Sequence, residues 1–540
     1  MSDDPALTDG HHLARGAAAN FFVLLAANFR GIFTFLIARL LGAAAFGRFG
    51  VVFTTTDLVS KGAALGLDSS IVPMVAMRAA VGDGDGCRRV FRRAVACVAV
   101  ASVVLAVSAM SGIRWATLSP GSRGPSVFPW ARDVPAVFDG FLGNFVGGGL
   151  IMLLALPGIA LARVATGAAR GLLSMRNEFY SRGVTETWVT IGVFVIALAL
   201  GSRDRAPALA VVAGTTAAAA VALVLATRAL ASVPRSPRDT VTPSPHPSVT
   251  SSPLLVVDTS VGSMLRYSLP MAGSSLLSVL VTEADVLLLA MFVGRAPGVT
   301  AETFGVFVVA AQLAVGLRKV RQVFDPIFAP VVATRSASER RGSLRDVVAG
   351  PGRWLLSAQL PLVGASVLSG GAIMSIYGSE YRQGAWWLAL LTLAHGANTF
   401  AGLVETLLMI ERPDLNLINA AMTVGVQIMA GLILIPMLGV TGAALAMCLG
   451  FSVQGILRFA ELRHVYGWGW PWRSLGRPMT AFAMAFLPAA IVRLAGGPLV
   501  EILAGLLFLI LYAGAWRLLG AEPSDREIWK KLMASRRRRS

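Results

Sequence analysis

The chain contains 540 residues, of which 55% are hydrophobic and only 14% are charged. A soluble globular domain carries roughly 25% charged residues, so this composition excludes an ordinary water-soluble protein. The apolar residues come in runs of about 20 along nearly the whole chain, which is typical of a polytopic membrane protein. Three scattered cysteines indicate neither a disulfide framework nor a metal cluster.

Fourteen apolar runs predict about fourteen transmembrane helices. The first six cover residues 17–40, 49–67, 94–110, 141–161, 184–200 and 207–230. The next six cover 263–293, 303–324, 355–376, 386–410, 415–437 and 440–459, and a final pair covers 478–494 and 499–519. The first run continues past the length of a secretory signal, so we interpret it as a membrane helix rather than a removable peptide.

The 47 lysines and arginines exceed the 29 acidic residues by 18. With the N-terminus inside, 35 of these cations fall in cytoplasmic segments and 10 in outside loops. This bias predicts that both termini lie in the cytoplasm. We expect the protein in the cytoplasmic (inner) membrane. The run Arg536–Arg539 is then expected to contact anionic membrane lipids. Topology therefore accounts for the charge, and no nucleic-acid partner is predicted.

A stretch rich in proline and serine divides the predicted helices. Residues 232–258 contain six prolines and six serines, which favours an extended cytoplasmic linker. We therefore predict an N-terminal lobe (1–231), this linker, a C-terminal lobe (259–473), a helix pair (474–520) and a basic cytoplasmic tail (521–540). The pair Leu-Gly followed by Phe-Gly at 41–47 has a counterpart, Val-Gly then Phe-Gly, at 293–305, which suggests two pseudo-repeated six-helix lobes.

Polar side chains recur inside the predicted spans, although a charge at mid-membrane costs roughly 2.5 to 3.5 kcal/mol. Span 1 contains Arg30, and span 2 contains Asp57 and Lys61 one turn apart. Span 7 has a stripe formed by Ser274, Ser278, Thr282 and Asp285. Span 8 places Arg318, Lys319, Arg321 and Asp325 at one end. Span 10 has a denser stripe, formed by Thr392, His395, Asn398, Thr399, Gly402, Glu405 and Thr406.

Each polar group also has a simpler interpretation. Asp57 and Lys61 neutralise each other if they pair, and the cations of span 8 can extend to the headgroups. The hydroxyls of span 7 can serve helix packing, and His395 can be a hydrogen-bonded interior residue. Several polar stripes on different helices are together better explained by one water-filled cavity, because lipid-facing versions of all would be costly.

Soluble-enzyme signatures are absent from the sequence. There is no P-loop for ATP, and Gly82–Gly86 lacks both the preceding strand of a phosphate loop and the glutamate of an EF-hand. We expect no enzymatic activity, no cofactor and no metal.

Several short motifs resemble those of the lipid-linked oligosaccharide or polysaccharide flippases in the multidrug, oligosaccharidyl-lipid and polysaccharide exporter superfamily. In the first half they are the segments 38–42, 46–47 and 65–68. In the second half they are Leu269-Pro270, Phe304-Gly305, Phe324-Asp325-Pro326, Tyr377-Gly378 and the segment 434–444. The resemblance covers nearly all of residues 13–495 and implies two six-helix lobes around a cavity that opens alternately to the two membrane faces.

The resemblance also implies a polyprenyl-diphosphate-linked glycan as substrate, with a polysaccharide polymerase as a possible partner. On this basis we predict that Arg30, Lys61, Arg318, Lys319 and Arg321 bind the diphosphate. Asp285, Glu405 and His395 are the predicted ion-coupling residues. Two other functions stay open at this stage: a cation-coupled multidrug exporter of the same fold, and a non-transporting scaffold of a polysaccharide export complex.

Overall fold

The three-dimensional structure is a computed structural model that describes residues 30–118, 143, 145, 148–172, 174, 176–233, 260–317, 341–467 and 472–519. These residues form helices and turns and contain no strand. Within these ranges nine helices are long and apolar enough to cross a membrane, or ten if one bent pair forms a single span. The predicted class, an all-α multi-pass membrane protein, is confirmed, and the number fourteen stays a prediction.

The helices of the described ranges are numbered here in chain order. The first seven are α1 (Arg30–Leu41), α2 (Ala43–Ala63), α3 (Leu67–Ala80), α4 (Gly84–Leu118), α5 (Gly148–Gly171), α6 (Arg176–Ala199) and α7 (Ala206–Ala231). They are followed by α8 (Val261–Met291), α9 (Ala301–Val315), α10 (Arg341–Ser375), α11 (Ala385–Glu411), α12 (Pro413–Leu438), α13 (Val440–Tyr466), α14 (Trp472–Arg493) and α15 (Pro498–Leu519).

Every predicted span overlaps one of these helices, but several helices extend beyond the predicted boundaries, and two of these differences have a clear cause. Span 4 was predicted to end at residue 161, whereas α5 continues to Gly171. Span 5 was predicted to begin at residue 184, whereas α6 begins at Arg176. Both predictions stopped at charged residues, and in both places an ion pair keeps the charge inside the helical bundle. Charge alone is therefore a poor marker of helix ends when a partner is present.

Helix α3 was not predicted, and it meets α2 at an angle of 43°. The break between them consists of Leu65 and Gly66, whose φ angles of 53° and 73° lie in the left-handed region. Glycine adopts this conformation without a steric penalty. Gly66 also lies against α8, because a Cβ at this position would overlap the carbonyl oxygen of Ser268 and lie 2.7 Å from the amide nitrogen of Ala272.

We expect Gly66→Ala to lower the free energy of unfolding by about 2–4 kcal/mol, since it adds both backbone strain and overpacking. Chemical denaturation of the purified protein in micelles measures this change. Gly62→Ala is the matched control, because Gly62 lies in α2 with nothing within 4 Å of the added methyl. Equal stability of the two variants would contradict the close approach of Gly66 to α8.

The described residues divide into two compact units within α8, the first ending at Glu283 and the second containing α9 to α15. In the first unit α5 packs closely against α3, since a Cβ at Gly167 would lie 2.7 Å from the carbonyl oxygen of Asp68. Small residues let membrane helices approach closely in this way. The buried core beside them includes Leu67, Ile71 and Phe91. The predicted lobe boundaries themselves stay a prediction.

In the second unit α12 packs along α13, and the pair α14 and α15 packs against α10. The ring of Phe508 on α15 lies directly over Gly364 of α10. The hydroxyl of Tyr512 donates to the carbonyl oxygen of Ser357 at 3.1 Å. At the other end of α15, the buried carboxylate of Glu501 accepts from Arg382 at 2.6 Å. The C-terminal helix pair is therefore attached to α10 by packing and by polar contacts.

Candidate functional site

A cluster of charged side chains joins α2, α3 and α5 inside the first unit. The guanidinium of Arg163 donates to Oδ1 of Asp57 at 2.6 Å and to Oγ of Ser60 at 2.7 Å. Arg163 is only 8% exposed. Residues 57 and 60 lie one turn apart on α2, so one forked guanidinium reaches both. These short contacts make a tight, charge-assisted pair.

Lys61, a predicted substrate residue, belongs to the same cluster. Its Nζ lies 3.4 Å from Oδ2 of Asp68, which sits in the first turn of α3 beyond the bend at Gly66. The Lys61 side chain is 23% exposed, whereas that of Asp68 is 7% exposed. The pairing of Asp57 with Arg163, and of Lys61 with Asp68, supplies each charge with a partner on another helix. The proposed pairing of Asp57 with Lys61 is therefore not needed to neutralise either one.

Arg182 lies on a π-helical segment, Phe179–Glu186, within α6. Its Nε is 3.7 Å from Oε2 of Glu186, and its side chain is 30% exposed. The charges of Arg163 and Asp57 also act on this guanidinium. Segments of π-helix are rare and occur often at functional sites. The described part of the first unit thus gathers three cations, Lys61, Arg163 and Arg182, with their acidic partners.

The second unit has its own ion pair between α11 and α13. The guanidinium of Arg458 donates to Oε2 of Glu405 at 2.9 Å and to Oδ1 of Asn398 at 3.2 Å. The Arg458 side chain is 3% exposed, while that of Glu405 is 29% exposed. Glu405, a predicted ion-coupling residue, is therefore held by a buried arginine and lies at the more accessible end of the pair.

His395 lies farther along the same stripe of α11. The residue is fully buried, and its ring meets that of Phe451 on α13 edge-on, with centroids 5.3 Å apart. Thr392, one turn earlier, is equally buried. Three residues of the predicted stripe, His395, Asn398 and Glu405, thus contact α13. The side chains of Thr399 and Thr406 lie outside the described residues.

Asp285 on α8 is 5% exposed, and neither of its carboxyl oxygens has a hydrogen-bond partner among the described residues. The other members of its predicted stripe behave differently. The hydroxyls of Ser274, Ser278 and Thr282 all donate to carbonyl oxygens of α8 itself. The stripe thus ends at its C-terminal side in a buried carboxyl group. Its three hydroxyl groups, on the N-terminal side, are hydrogen-bonded within the helix.

The remaining predicted cations receive no structural test. Arg30 begins α1, but its side chain lies outside the described residues. Arg318, Lys319 and Arg321, with Asp325, also lie outside them. Among the described residues, no three His, Cys, Asp or Glu side chains lie close enough together to hold a metal ion.

Sequence reasoning missed three arginines that form ion pairs, Arg163, Arg182 and Arg458. Arg163 and Arg182 lay just outside predicted spans, so they were counted with the loops. Arg458 lay inside span 12, four residues after the buried Gln454, and this i,i+4 polar spacing was the available signal. An arginine inside an apolar run, four residues from another polar side chain, indicates a partner on a neighbouring helix.

No family model and no curated protein matches the sequence. Solved structures do match. One is an inward-facing multidrug-resistance MATE-family transporter of the MOP superfamily, with a TM-score of 0.60 and 15% identity over 82% of this chain and 94% of that one. Another is the lipid II flippase MurJ in an inward closed conformation, with a TM-score of 0.59 and 11% identity over 93% of this chain and 98% of that one.

A third is a MOP-superfamily transporter from Pyrococcus furiosus, noted for the reverse polarity of its binding pocket. Its TM-score is 0.58, with 15% identity over 86% of this chain and 99% of that one. At such low identities the likeness establishes the fold, while the flippase family suggested by the sequence motifs stays a prediction. The chain is a multi-pass membrane protein with the fold shared by the MATE and MurJ transporters of the MOP superfamily.

Proposed function

We propose that the protein is a flippase that carries a polyprenyl-diphosphate-linked oligosaccharide across the cytoplasmic membrane by alternating access, for surface polysaccharide biosynthesis. Such a substrate has a doubly charged diphosphate, a hydrated glycan and an apolar prenyl chain. A carrier therefore needs interior cations for the diphosphate, water around the glycan, and access to lipid for the prenyl chain. Inner-membrane location, with both termini in the cytoplasm, belongs to the same proposal.

The observation that carries the proposal is that the ion pairs of the first unit differ in length. Arg163 is held at 2.6 Å by Asp57, whereas Lys61 and Arg182 lie 3.4 and 3.7 Å from their acids. Charge-assisted bonds to phosphate are typically about 2.7–2.9 Å long. A diphosphate would therefore form stronger contacts with these two partly exposed cations than their present partners do, while Arg163 keeps its structural pair.

The likeness to MurJ gives further support, because that protein is a lipid II flippase and the likeness covers 93% of this chain. The likeness to the MATE transporter and to the Pyrococcus furiosus transporter covers 82% and 86%. The proposal keeps the predicted substrate residues Arg30, Lys61, Arg318, Lys319 and Arg321 and adds Arg182. Asp285, Glu405 and His395 stay the proposed ion-coupling residues.

The test is a strain that lacks the protein, assayed for the sidedness of its lipid-linked oligosaccharide. Accumulation on the cytoplasmic leaflet, reversed by the intact gene, is the expected result. Normal surface polysaccharide with no accumulation would reject the flippase proposal and favour the exporter.

We expect Lys61→Gln and Arg182→Gln each to weaken the apparent affinity for the lipid-linked glycan by roughly tenfold to a hundredfold. A hydrogen bond to a charged group contributes about 1.5–3 kcal/mol, which corresponds to that range. Flipping assays in proteoliposomes at several substrate concentrations measure the change. Arg203→Gln is the matched control, because Arg203 is exposed in the turn before α7. Unchanged affinity in both interior variants would remove the diphosphate role of this cluster.

A cation-coupled multidrug exporter is the second candidate, and two observations favour it. The fold likeness to a multidrug-resistance MATE transporter has a TM-score of 0.60. Asp285 is a buried carboxyl group with no hydrogen-bond partner among the described residues, so both of its oxygens are available to bind a cation or a proton. A non-transporting scaffold is favoured only if Lys61, Arg182, Asp285 and Glu405 all prove dispensable.

A further inference from the structure

Helix α4 has one continuous exposed face, which is basic at its N-terminal end and apolar farther along. Toward its N-terminal end this face carries Arg89, Arg92 and Arg93, all exposed. Farther along, Val100, Val103 and Val107 are 65%, 50% and 58% exposed. At 100 degrees per residue these six positions lie within roughly 100 degrees of arc, so the arginines and valines share one side of the helix.

The opposite side of α4 is packed against the core of the first unit. Cys87, Val90 and Val98 are fully buried there. The direction of the outer face is thus fixed by packing, and its exposed valines are suited to acyl chains. The arginines then lie on the same face at the level where the acyl chains meet their headgroups.

Helix length supports this placement. The segment Gly84–Trp115 of α4 is apolar enough to cross a membrane and contains 32 residues. At 1.5 Å per residue it is about 48 Å long, whereas the hydrocarbon core is about 30 Å thick. Part of the segment therefore extends beyond the hydrocarbon, and the three arginines indicate that this part is the N-terminal end, where arginine side chains meet phosphate groups.

Contacts at the N-terminal end of α4 fix the position of this face. The carboxylate of Asp85 is held by Arg88 at 2.8 Å, and Asp83 accepts from the amide of Gly86 at 2.7 Å. Arg88 also donates to the carbonyl oxygen of Leu230 at 3.1 Å, which fastens this end of α4 to the end of α7. This end of α4, and with it the arginine face, therefore has a fixed position.

We infer that Arg89, Arg92 and Arg93 form a binding site for anionic phospholipid, whose acyl chains lie along the exposed valines of α4. Guanidinium groups one turn apart can each donate two hydrogen bonds to phosphate, so a lipid with two phosphates fits this face better than one with a single phosphate. Under the predicted topology, the bound lipid belongs to the cytoplasmic leaflet. The inference is independent of the transported substrate.

The experiment uses the full-length protein in micelles that contain diphosphatidylglycerol and phosphatidylcholine, with retained lipid counted by native mass spectrometry. The wild type is expected to retain diphosphatidylglycerol in preference to phosphatidylcholine. The triple variant Arg89→Gln, Arg92→Gln and Arg93→Gln is expected to lose at least tenfold in apparent affinity for diphosphatidylglycerol.

Two further variants keep the test decisive. Arg203→Gln with Arg205→Gln removes two exposed cations before α7, away from this face, and should retain the lipid. Replacing all three α4 arginines by lysine keeps the charge and should preserve more binding than glutamine does. Equal retention of diphosphatidylglycerol by the glutamine triple variant and the wild type would overturn the inference. Equal retention of both lipids by the wild type would overturn it as well.

Discussion

Replacing Arg163 by methionine is expected to lower the free energy of unfolding by about 3–5 kcal/mol, which is the usual effect of removing one partner from a buried ion pair. The substitution deletes the guanidinium that lies 2.6 Å from Asp57 and 2.7 Å from Ser60. The Asp57 carboxylate then remains inside the helical bundle without this partner. Thermal unfolding of the purified protein in micelles, followed by thiol-reactive fluorescence, measures the loss.

The double variant Asp57→Asn with Arg163→Met tests the cause of that loss. If an isolated charge is responsible, the neutral pair should recover most of the stability, because replacing a whole ion pair by uncharged groups is often nearly neutral. Arg203→Met is the exposed control and should change stability by less than about 0.5 kcal/mol. A double variant no more stable than Arg163→Met alone would show that packing of the arginine stem, rather than its charge, stabilises α5.

The second large effect is expected at Glu405, and it separates the two transport functions. For a flippase, Glu405→Gln should slow gradient-driven turnover by about 5–150-fold, the range of a coupling free energy of about 1–3 kcal/mol. It should also abolish dependence on the proton gradient without changing which lipid is carried. For a drug exporter, the same substitution should abolish resistance to lipophilic cations, while cells without the protein keep normal surface polysaccharide.

Because Glu405 lies 2.9 Å from the buried guanidinium of Arg458, Glu405→Gln also disturbs an ion pair. The double variant Glu405→Gln with Arg458→Met removes that complication, and it should recover stability but not gradient dependence. Glu461→Gln is the matched control, because its carboxylate on the same helix as Arg458 is bonded to Asn419 at 2.6 Å. Gradient dependence that survives in the stable double variant would exclude Glu405 as the coupling residue.

Most of the architecture could be predicted from the sequence, because apolar runs of membrane length have few alternatives to a helix in lipid. Water is absent from the bilayer core, so each segment must satisfy its own backbone hydrogen bonds. The runs at 207–230, 415–437 and 499–519 accordingly match α7, α12 and α15 within two residues. The motif resemblance likewise anticipated the MOP-superfamily fold, although the flippase family itself stays a prediction.

The sequence also marked which acids lie inside the bundle, since a charge within an apolar run is costly without a partner. It did not identify those partners. Asp57 pairs with Arg163, which is 106 positions away in the sequence, and Glu405 pairs with Arg458, which is 53 positions away. Hydropathy is a local property of the chain, whereas ion pairing depends on which helices pack side by side.

The sequence by itself therefore determined that this protein lies in a lipid membrane, that it is helical, and where its apolar runs are. Only the tertiary structure decided that the chain bends at Gly66 between α2 and α3, that Lys61 pairs with Asp68, and that Arg163 and Arg458 lie inside the bundle. The bend at Gly66 is fixed by the close approach of its backbone to Ser268, and the interior cations are fixed by acidic partners on neighbouring helices. The physical reason is that the free energy of a buried charge is set by the groups packed around it.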